Sequence, residues 1–155
     1  MTKIALIVGI DYYAHGLPLY GCVNDAHSVK SVLDRNGNGS INFESKLLTS
    51  SSDRDLIKRS DLKDSIAELF HKDADIALFY FSGHGHIEEV GGYLLASDSG
   101  RGDEGVSLSE ILTMANSSPA KNKVIVLDSC HSGIAGSQPS GEQSAILNDG
   151  MTVLT

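Results

Sequence analysis

Four short runs of apolar and largely β-branched residues recur along the chain and predict buried strands. They are Lys3 to Ile10, Phe43 to Thr49, Asp75 to Ser82 and Lys123 to Leu127. Near-continuous apolar runs of this length are typical of parallel strands that helices cover on both faces of a sheet. The second run, Phe43 to Thr49, gives the weakest strand prediction of the four.

Between these runs, apolar residues repeat at helical spacing and predict three helices. Asn24 and Asp25 are favoured capping residues for the first helix, and the Asn36 to Gly39 cluster ends it. The second helix is predicted over Asp55 to His71 and the third over Leu108 to Met114. Strands that alternate with helices indicate an α/β fold with a mostly parallel sheet and helices on both faces.

The remaining segments predict smaller features. Residues 88–97 contain Gly91-Gly92 between two short runs, which is typical of a small hairpin. Residues 133–150 are rich in Gly, Ser, Gln and Asn and predict a loop. Met151 to Thr155 resembles the start of a fifth strand. We therefore expect one domain over residues 1–155 that ends at the start of this strand.

Composition and charge narrow the classes of function. The 155 residues include 12 Lys and Arg against 20 Asp and Glu, a formal net charge of -8, which disfavours binding to nucleic acid or to an anionic membrane. No apolar run approaches the roughly 18 residues that span a bilayer, and the first residues do not resemble a cleavable signal. Two cysteines, Cys22 and Cys130, are too few for a disulfide framework. These features favour a cytoplasmic protein.

The candidate chemistry lies at the predicted carboxyl ends of two strands. His84 follows the third strand and Cys130 follows the fourth. Carboxyl ends of neighbouring parallel strands meet at the edge where such sheets bind ligands. A thiol attacks a peptide carbonyl as its thiolate, and one histidine can serve first as base and then as acid. The sequence thus predicts a Cys130–His84 pair, with the amides of Gly85 and Cys130 as an oxyanion hole.

Other interpretations of these residues stay open. A single histidine or cysteine is more often structural, and Cys22 is best explained by packing. A nucleotide site is disfavoured because the first strand is not followed by a glycine-rich phosphate loop. A zinc site lacks the usual ligand spacing and would consume the nucleophile. Its ligands would be His84, His86, Cys130 and His131.

Two stretches, FYFSGHG and VIVLDSCHSG, resemble the histidine and cysteine motifs of caspase-like peptidases, closest to the metacaspase and bacterial orthocaspase branch. ALIVGIDYY and LYGCVNDAHSV are similar to the first strand and first helix of that family, so the resemblance covers residues 3–155. It implies a three-layer α/β/α caspase-like fold, here its large-subunit portion. It also implies a cysteine endopeptidase that acts on proteins or peptides in regulated proteolysis, cell death or defence.

The resemblance further implies a preference for Arg or Lys before the cut, because metacaspases receive that residue between two acidic side chains. Asp25 and Asp128 match those positions. A carboxylate pair binds a guanidinium through charge-assisted hydrogen bonds and repels an acidic substrate. Alternatively, Asp25 is a helix cap and Asp128 is a solvated charge at a strand end.

Calcium is the one cofactor that the resemblance raises, since many metacaspases bind it through several carboxylates. Asp98, Asp103 and Glu104 form an acidic cluster, but residues 105–110 lack the paired aspartates of the calcium-binding members. We therefore expect no metal and no other cofactor. A solvated acidic loop is the alternative for this cluster.

The expected partners also follow from the family. Caspase-like domains usually continue into a small-subunit region, so we expect such a region as a separate chain or as a C-terminal remainder. No Lys or Arg lies between His131 and Thr155, which disfavours self-cleavage there. Activation by a sensor or by another protease is therefore expected. A catalytically silent, peptide-binding caspase-like domain is the alternative function.

Overall fold

A computed structural model of the chain describes residues 1–88, 91–100, 105–130 and 149–155, and the side chains of residues 87, 88 and 130 lie outside that description. Within these ranges the chain forms strands and helices in alternation. In chain order they are β1 Lys3–Ile10, α1 Cys22–Asp34, β2 Glu44–Ser50, α2 Arg59–His71, β3 Ile76–Glu88, β4 Gly91–Leu94, β5 Val106–Ser107, α3 Leu108–Asn116, β6 Asn122–Cys130 and β7 Met151–Leu154.

The main sheet is parallel and has the order β2-β1-β3-β6-β7. The short strands β4 and β5 extend it as an antiparallel pair against the last residues of β3. The predicted α/β fold with a mostly parallel sheet is therefore confirmed, and β7 pairs in parallel with β6.

Side chains of alternate residues build a core on each face of the sheet. From β1, Leu6 and Val8 enter the larger core, to which α2 and α3 also contribute. Ala5 and Ile7 enter a smaller core together with Ala26 of α1. This alternation explains why β1 is apolar at nearly every position, since both of its faces are buried.

The polar ends of β3 and β6 differ from the prediction. His84 and Cys130 were expected just beyond the ends of their strands, but both lie within them. The β3–β6 ladder continues as far as the His84 and Cys130 pair, and β3 then pairs with β4. A strand is defined by main-chain hydrogen bonds to its neighbour and not by apolar side chains. Both strands therefore continue through residues that are not apolar.

The start of α2 and the position of the hairpin glycines also differ from the prediction, for local reasons. The helix α2 begins at Arg59 rather than Asp55 because the Asp55 carboxylate accepts hydrogen bonds from the N–H groups of Ser51 and Ser52 and so closes a turn. Gly91 and Gly92, expected between the two runs of the hairpin, lie in β4, opposite residues 88 and 87. The predicted loop over 133–150 falls outside the described residues except for its last two positions.

Candidate active site

The strand register brings the two candidate catalytic residues side by side. Along the β3–β6 ladder, Ser82 pairs with Asp128, and His84 pairs with Cys130. Neighbouring strands lie roughly 4.8 Å apart in the hydrogen-bonding direction, so the main chains of His84 and Cys130 are immediate neighbours. The side chain of Cys130 is outside the described part of the structure, and the predicted pair is therefore located by its main chain.

A main-chain carbonyl orients the imidazole of His84. Its Nε2 lies 2.8 Å from the carbonyl oxygen of Leu17, in the connection between β1 and α1. A carbonyl can only accept, so this hydrogen bond requires the proton on Nε2 and places the basic lone pair of the neutral ring on Nδ1. The histidine is 9% exposed, which limits the competition of water for this bond.

Tyr13 contacts both the main chain and the ring of His84. The main-chain N–H of His84 donates a hydrogen bond of 2.7 Å to the Tyr13 hydroxyl. The two rings lie 4.5 Å apart between centroids, tilted by 51°. Burial raises the pKa of Tyr13, against the lowering effect of the hydrogen bond from His84, so the phenol stays protonated. The sequence prediction did not include Tyr13.

The glycines on either side of His84 are explained by close contacts. A Cβ atom at Gly83 would lie 2.5 Å from the Tyr13 hydroxyl oxygen and 2.9 Å from the ring of Phe81. At Gly85 it would lie 3.2 Å from Ser129. A side chain at residue 83 would therefore force the Tyr13 hydroxyl or the Phe81 ring to shift. The role of the Gly85 and Cys130 amides as an oxyanion hole stays a prediction.

The two acidic residues predicted to bind a basic side chain both influence the pKa of one tyrosine. Asp25 lies in the first turn of α1 and is half-buried, and Asp128 is an exposed residue of β6. Burial raises the pKa of Tyr80, the nearby Ser82 side chain lowers it, and the charges of Asp128 and Asp25 raise it further. Both carboxylates therefore lie within electrostatic range of the same hydroxyl, although they are far apart in sequence.

Cys22 belongs to the same group of side chains. Burial raises the pKa of its thiol, the nearby Ser82 side chain lowers it, and the nearby Asp11 and Asp25 raise it. The sequence explains Cys22 best by packing, and the structure shows it half-buried. We call Cys22, Asp25, Tyr80, Ser82 and Asp128 the acidic cluster. Only the fold could reveal its membership, since the residues come from α1, β3 and β6.

The alternative role of Asp25 as a helix cap is wrong. The helix α1 begins at Cys22, with Gly21 as its N-cap and without a side-chain cap from that residue, so Asp25 lies inside the helix. The first N–H of the helix, that of Cys22, instead donates a hydrogen bond of 2.8 Å to the Asp11 carboxylate. Asp11 follows β1 and satisfies a group that the helix leaves unpaired.

The candidate metal ligands are not gathered in the part of the chain that the structure describes, where no group of three His, Cys, Asp or Glu side chains could hold an ion. An oxygen of Asp98 accepts a hydrogen bond of 2.8 Å from the N–H of Arg59, at the start of α2. Asp103, Glu104 and His131 lie outside the described residues, and His86 is exposed on β3.

Helices of the described residues are all too short or too polar to cross a membrane.

Together, the parallel sheet order, the histidine inside β3 and the cysteine opposite it in β6 define a caspase-type α/β domain. A family model described as the caspase domain of the C14 peptidases matches residues 2–152, and the chain belongs to this family of cysteine peptidases. The chain is also similar to Metacaspase-1 of Meyerozyma guilliermondii, with 31% identity over 146 residues. That match covers 86% of this chain and 36% of the relative, so the chain spans about a third of the length of the protein it resembles.

Proposed function

We propose that this protein is a cysteine endopeptidase that cuts peptide bonds after Arg or Lys, with Cys130 as nucleophile and His84 as general base and acid. The observation that carries the proposal is the register pairing of His84 with Cys130. The hydrogen bond from Nε2 of His84 to Leu17 adds to it, because it leaves Nδ1 as the atom that can take a proton. Membership of the caspase-domain family agrees with this assignment.

The proposed reaction runs in two halves. Nδ1 of His84 takes the thiol proton of Cys130, and the thiolate attacks the carbonyl carbon of the substrate. The negative oxygen of the tetrahedral intermediate accepts hydrogen bonds from the amides of Gly85 and Cys130. The imidazolium then gives its proton to the departing amine, which leaves a thioester. Water, deprotonated by His84, attacks that thioester, and His84 then returns the proton to the departing thiolate, which regenerates the thiol and frees the acid product.

The proposed specificity rests on the acidic cluster. Asp128 pairs with Ser82 near the end of the β3–β6 ladder, and Asp25 lies in the first turn of α1. Both carboxylates lie within electrostatic range of Tyr80. A guanidinium or ammonium group there would gain charge-assisted hydrogen bonds from two carboxylates. An acidic substrate side chain would meet repulsion and lose its hydration.

Fluorogenic peptides that differ only in the residue before the cut test the proposal. Arg and Lys peptides should be hydrolysed, while Asp and Leu peptides should not. Cys130→Ala and His84→Ala should each abolish turnover, and the double variant should be no worse than either, because the two residues act as one unit. His86→Ala, which changes the exposed histidine two residues further along β3, is the matched control and should retain turnover.

Two results would contradict the proposal. Full turnover by Cys130→Ala would exclude the nucleophile, and equal rates for Arg and Leu peptides would exclude the specificity. If Arg peptides bind to the protein without being cut, the silent peptide-binding domain becomes the better interpretation.

A further inference from the structure

Tyr13 occupies a gap in the main-chain pairing of β3. On one side of β3, pairing with β1 ends at the Gly9 and Ser82 pair, and pairing with β4 begins at the Gly85 and Leu94 pair. His84 lies between these two ladders. The N–H of His84 donates a hydrogen bond to the hydroxyl of Tyr13. The carbonyl oxygen of His84 accepts a hydrogen bond of 3.0 Å from the N–H of Leu95.

At His84, the Tyr13 hydroxyl accepts the main-chain hydrogen bond that a neighbouring strand would otherwise accept. A buried main-chain N–H without an acceptor costs free energy comparable to a lost hydrogen bond. Because β1 no longer pairs with β3 at His84, that N–H needs a side chain as its acceptor. Tyr13 follows β1 by three residues and is 5% exposed, and the N–H of Ala14 donates a hydrogen bond of 2.8 Å to the carbonyl of Ser97. The phenol therefore approaches β3 from a fixed main chain.

The same tyrosine also limits where the imidazole can tilt. Its ring lies 4.5 Å from that of His84 between centroids, within the range of tilted ring contacts. The carbonyl of Leu17 holds the far side of the imidazole through Nε2. The connection from β1 to α1 thus restrains His84 twice, once at its main chain and once at its ring.

We infer that Tyr13 is a positioning residue, whose hydroxyl fixes the main chain of His84 so that its imidazole stays directed at the proton that it transfers. The inference rests on the proposed function, since it concerns how His84 performs the transfer. Tyr13 itself takes no proton and touches no reacting atom in this scheme. Its contribution is to orientation, where displacements of about 1 Å can cost about 100-fold in rate.

The test compares Tyr13→Phe with Tyr12→Phe, which removes the hydroxyl of the half-buried preceding tyrosine. Tyr13→Phe keeps the ring and removes the acceptor. We expect its kcat on an Arg peptide to fall about 10-fold or more, by analogy with other orientation losses, while KM stays within a factor of two. Tyr12→Phe should leave both constants unchanged. A merely structural loss would lower the amount of active enzyme, which titration of active sites measures separately.

A spectroscopic measurement keeps the inference independent of turnover. Long-range ¹H–¹⁵N spectra of the imidazoles, assigned with His84→Gln, should show His84 in the Nε2–H tautomer in the natural protein, and Tyr13→Phe should broaden or shift those signals. Amide hydrogen exchange of the natural protein should find the His84 N–H as protected as that of Phe81. This second measurement needs no variant and so applies even if Tyr13→Phe does not fold.

The outcomes separate the two claims. If the natural protein cuts Arg peptides and Tyr13→Phe has an unchanged kcat per active site, the inference is wrong and the proposed function stands. If the natural protein cuts nothing but the His84 signals respond to Tyr13→Phe, the positioning contact stands and the proposed function is wrong. An unprotected His84 amide in the natural protein would overturn the inference directly.

Discussion

The carboxylate of Asp11, one residue after β1, accepts a hydrogen bond of 2.8 Å from the N–H of Cys22, the first residue of α1. One side chain thereby joins the end of a central strand to the start of the helix that carries Asp25. It also adds negative charge at the positive end of the helix dipole. This contact ties the start of α1, which carries Cys22 and Asp25, to the end of β1.

Removal of this cap should destabilise the fold. Asp11→Ala should lower the free energy of unfolding by about 1 kcal/mol, the usual cost of a lost helix cap, and Asp11→Asn, which keeps an acceptor oxygen, should recover most of that loss. Urea unfolding followed by circular dichroism measures both. Asp53→Ala, in an exposed loop, is the control, and an equal loss in that variant would show that Asp11 has no capping role.

The acidic cluster should govern selectivity. Asp128→Ala should reduce kcat/KM for an Arg peptide by at least about 2 kcal/mol, roughly 30-fold, because the substrate cation would lose one of two carboxylates. Asp25→Asn should act in the same direction. Asp64→Asn, which removes an exposed charge from α2, controls for net charge. Arg selectivity that survives in Asp128→Ala would remove this residue from the proposed pocket.

Cys22 should react slowly with alkylating agents near neutral pH. Burial raises the pKa of its thiol, and a raised pKa means a smaller thiolate fraction at every pH below it, so the reaction rate rises only at higher pH. In the Cys130→Ala variant, where Cys22 is the remaining cysteine, iodoacetamide labelling followed by mass spectrometry gives its rate against pH. A midpoint equal to that of a free thiol such as glutathione would contradict the expectation.

Close packing of α1 against β1 predicts that Gly9 tolerates no side chain. A Cβ atom there would lie 2.4 Å from the carbonyl oxygen of Cys22 and 2.7 Å from the Cβ of Ala26. Gly9→Ala should therefore destabilise the protein by about 1–3 kcal/mol, as overpacking of cores usually does. Gly37→Ala, where a Cβ atom would meet no atom within 4 Å, is the matched control. Thermal unfolding measures the stability of both variants, and the loss should be found in Gly9→Ala and not in Gly37→Ala.

The hydrophobic pattern determined most of the architecture. Runs such as Lys3 to Ile10 have too little polar surface to lie at the exterior, so burial on both faces, and hence a parallel sheet between helices, followed from composition alone. The residue types and their order also pointed to His84 and Cys130, because few other pairs in the chain combine a base and a nucleophile beside strand ends.

Only the tertiary structure decided which groups meet at the site. The sequence prediction ended β3 before His84, since pairing with β6 and β4 does not depend on apolar side chains. It assigned a cap to Asp25 as an alternative, whereas Asp11 caps the helix from another element. Tyr13 lies in the stretch ALIVGIDYY, but the sequence does not link it to His84, because the N–H that it serves lies 71 residues away in the chain. Local sequence determines what each segment can form, but partners for hydrogen bonds and charges are chosen by which segments the folded chain brings together.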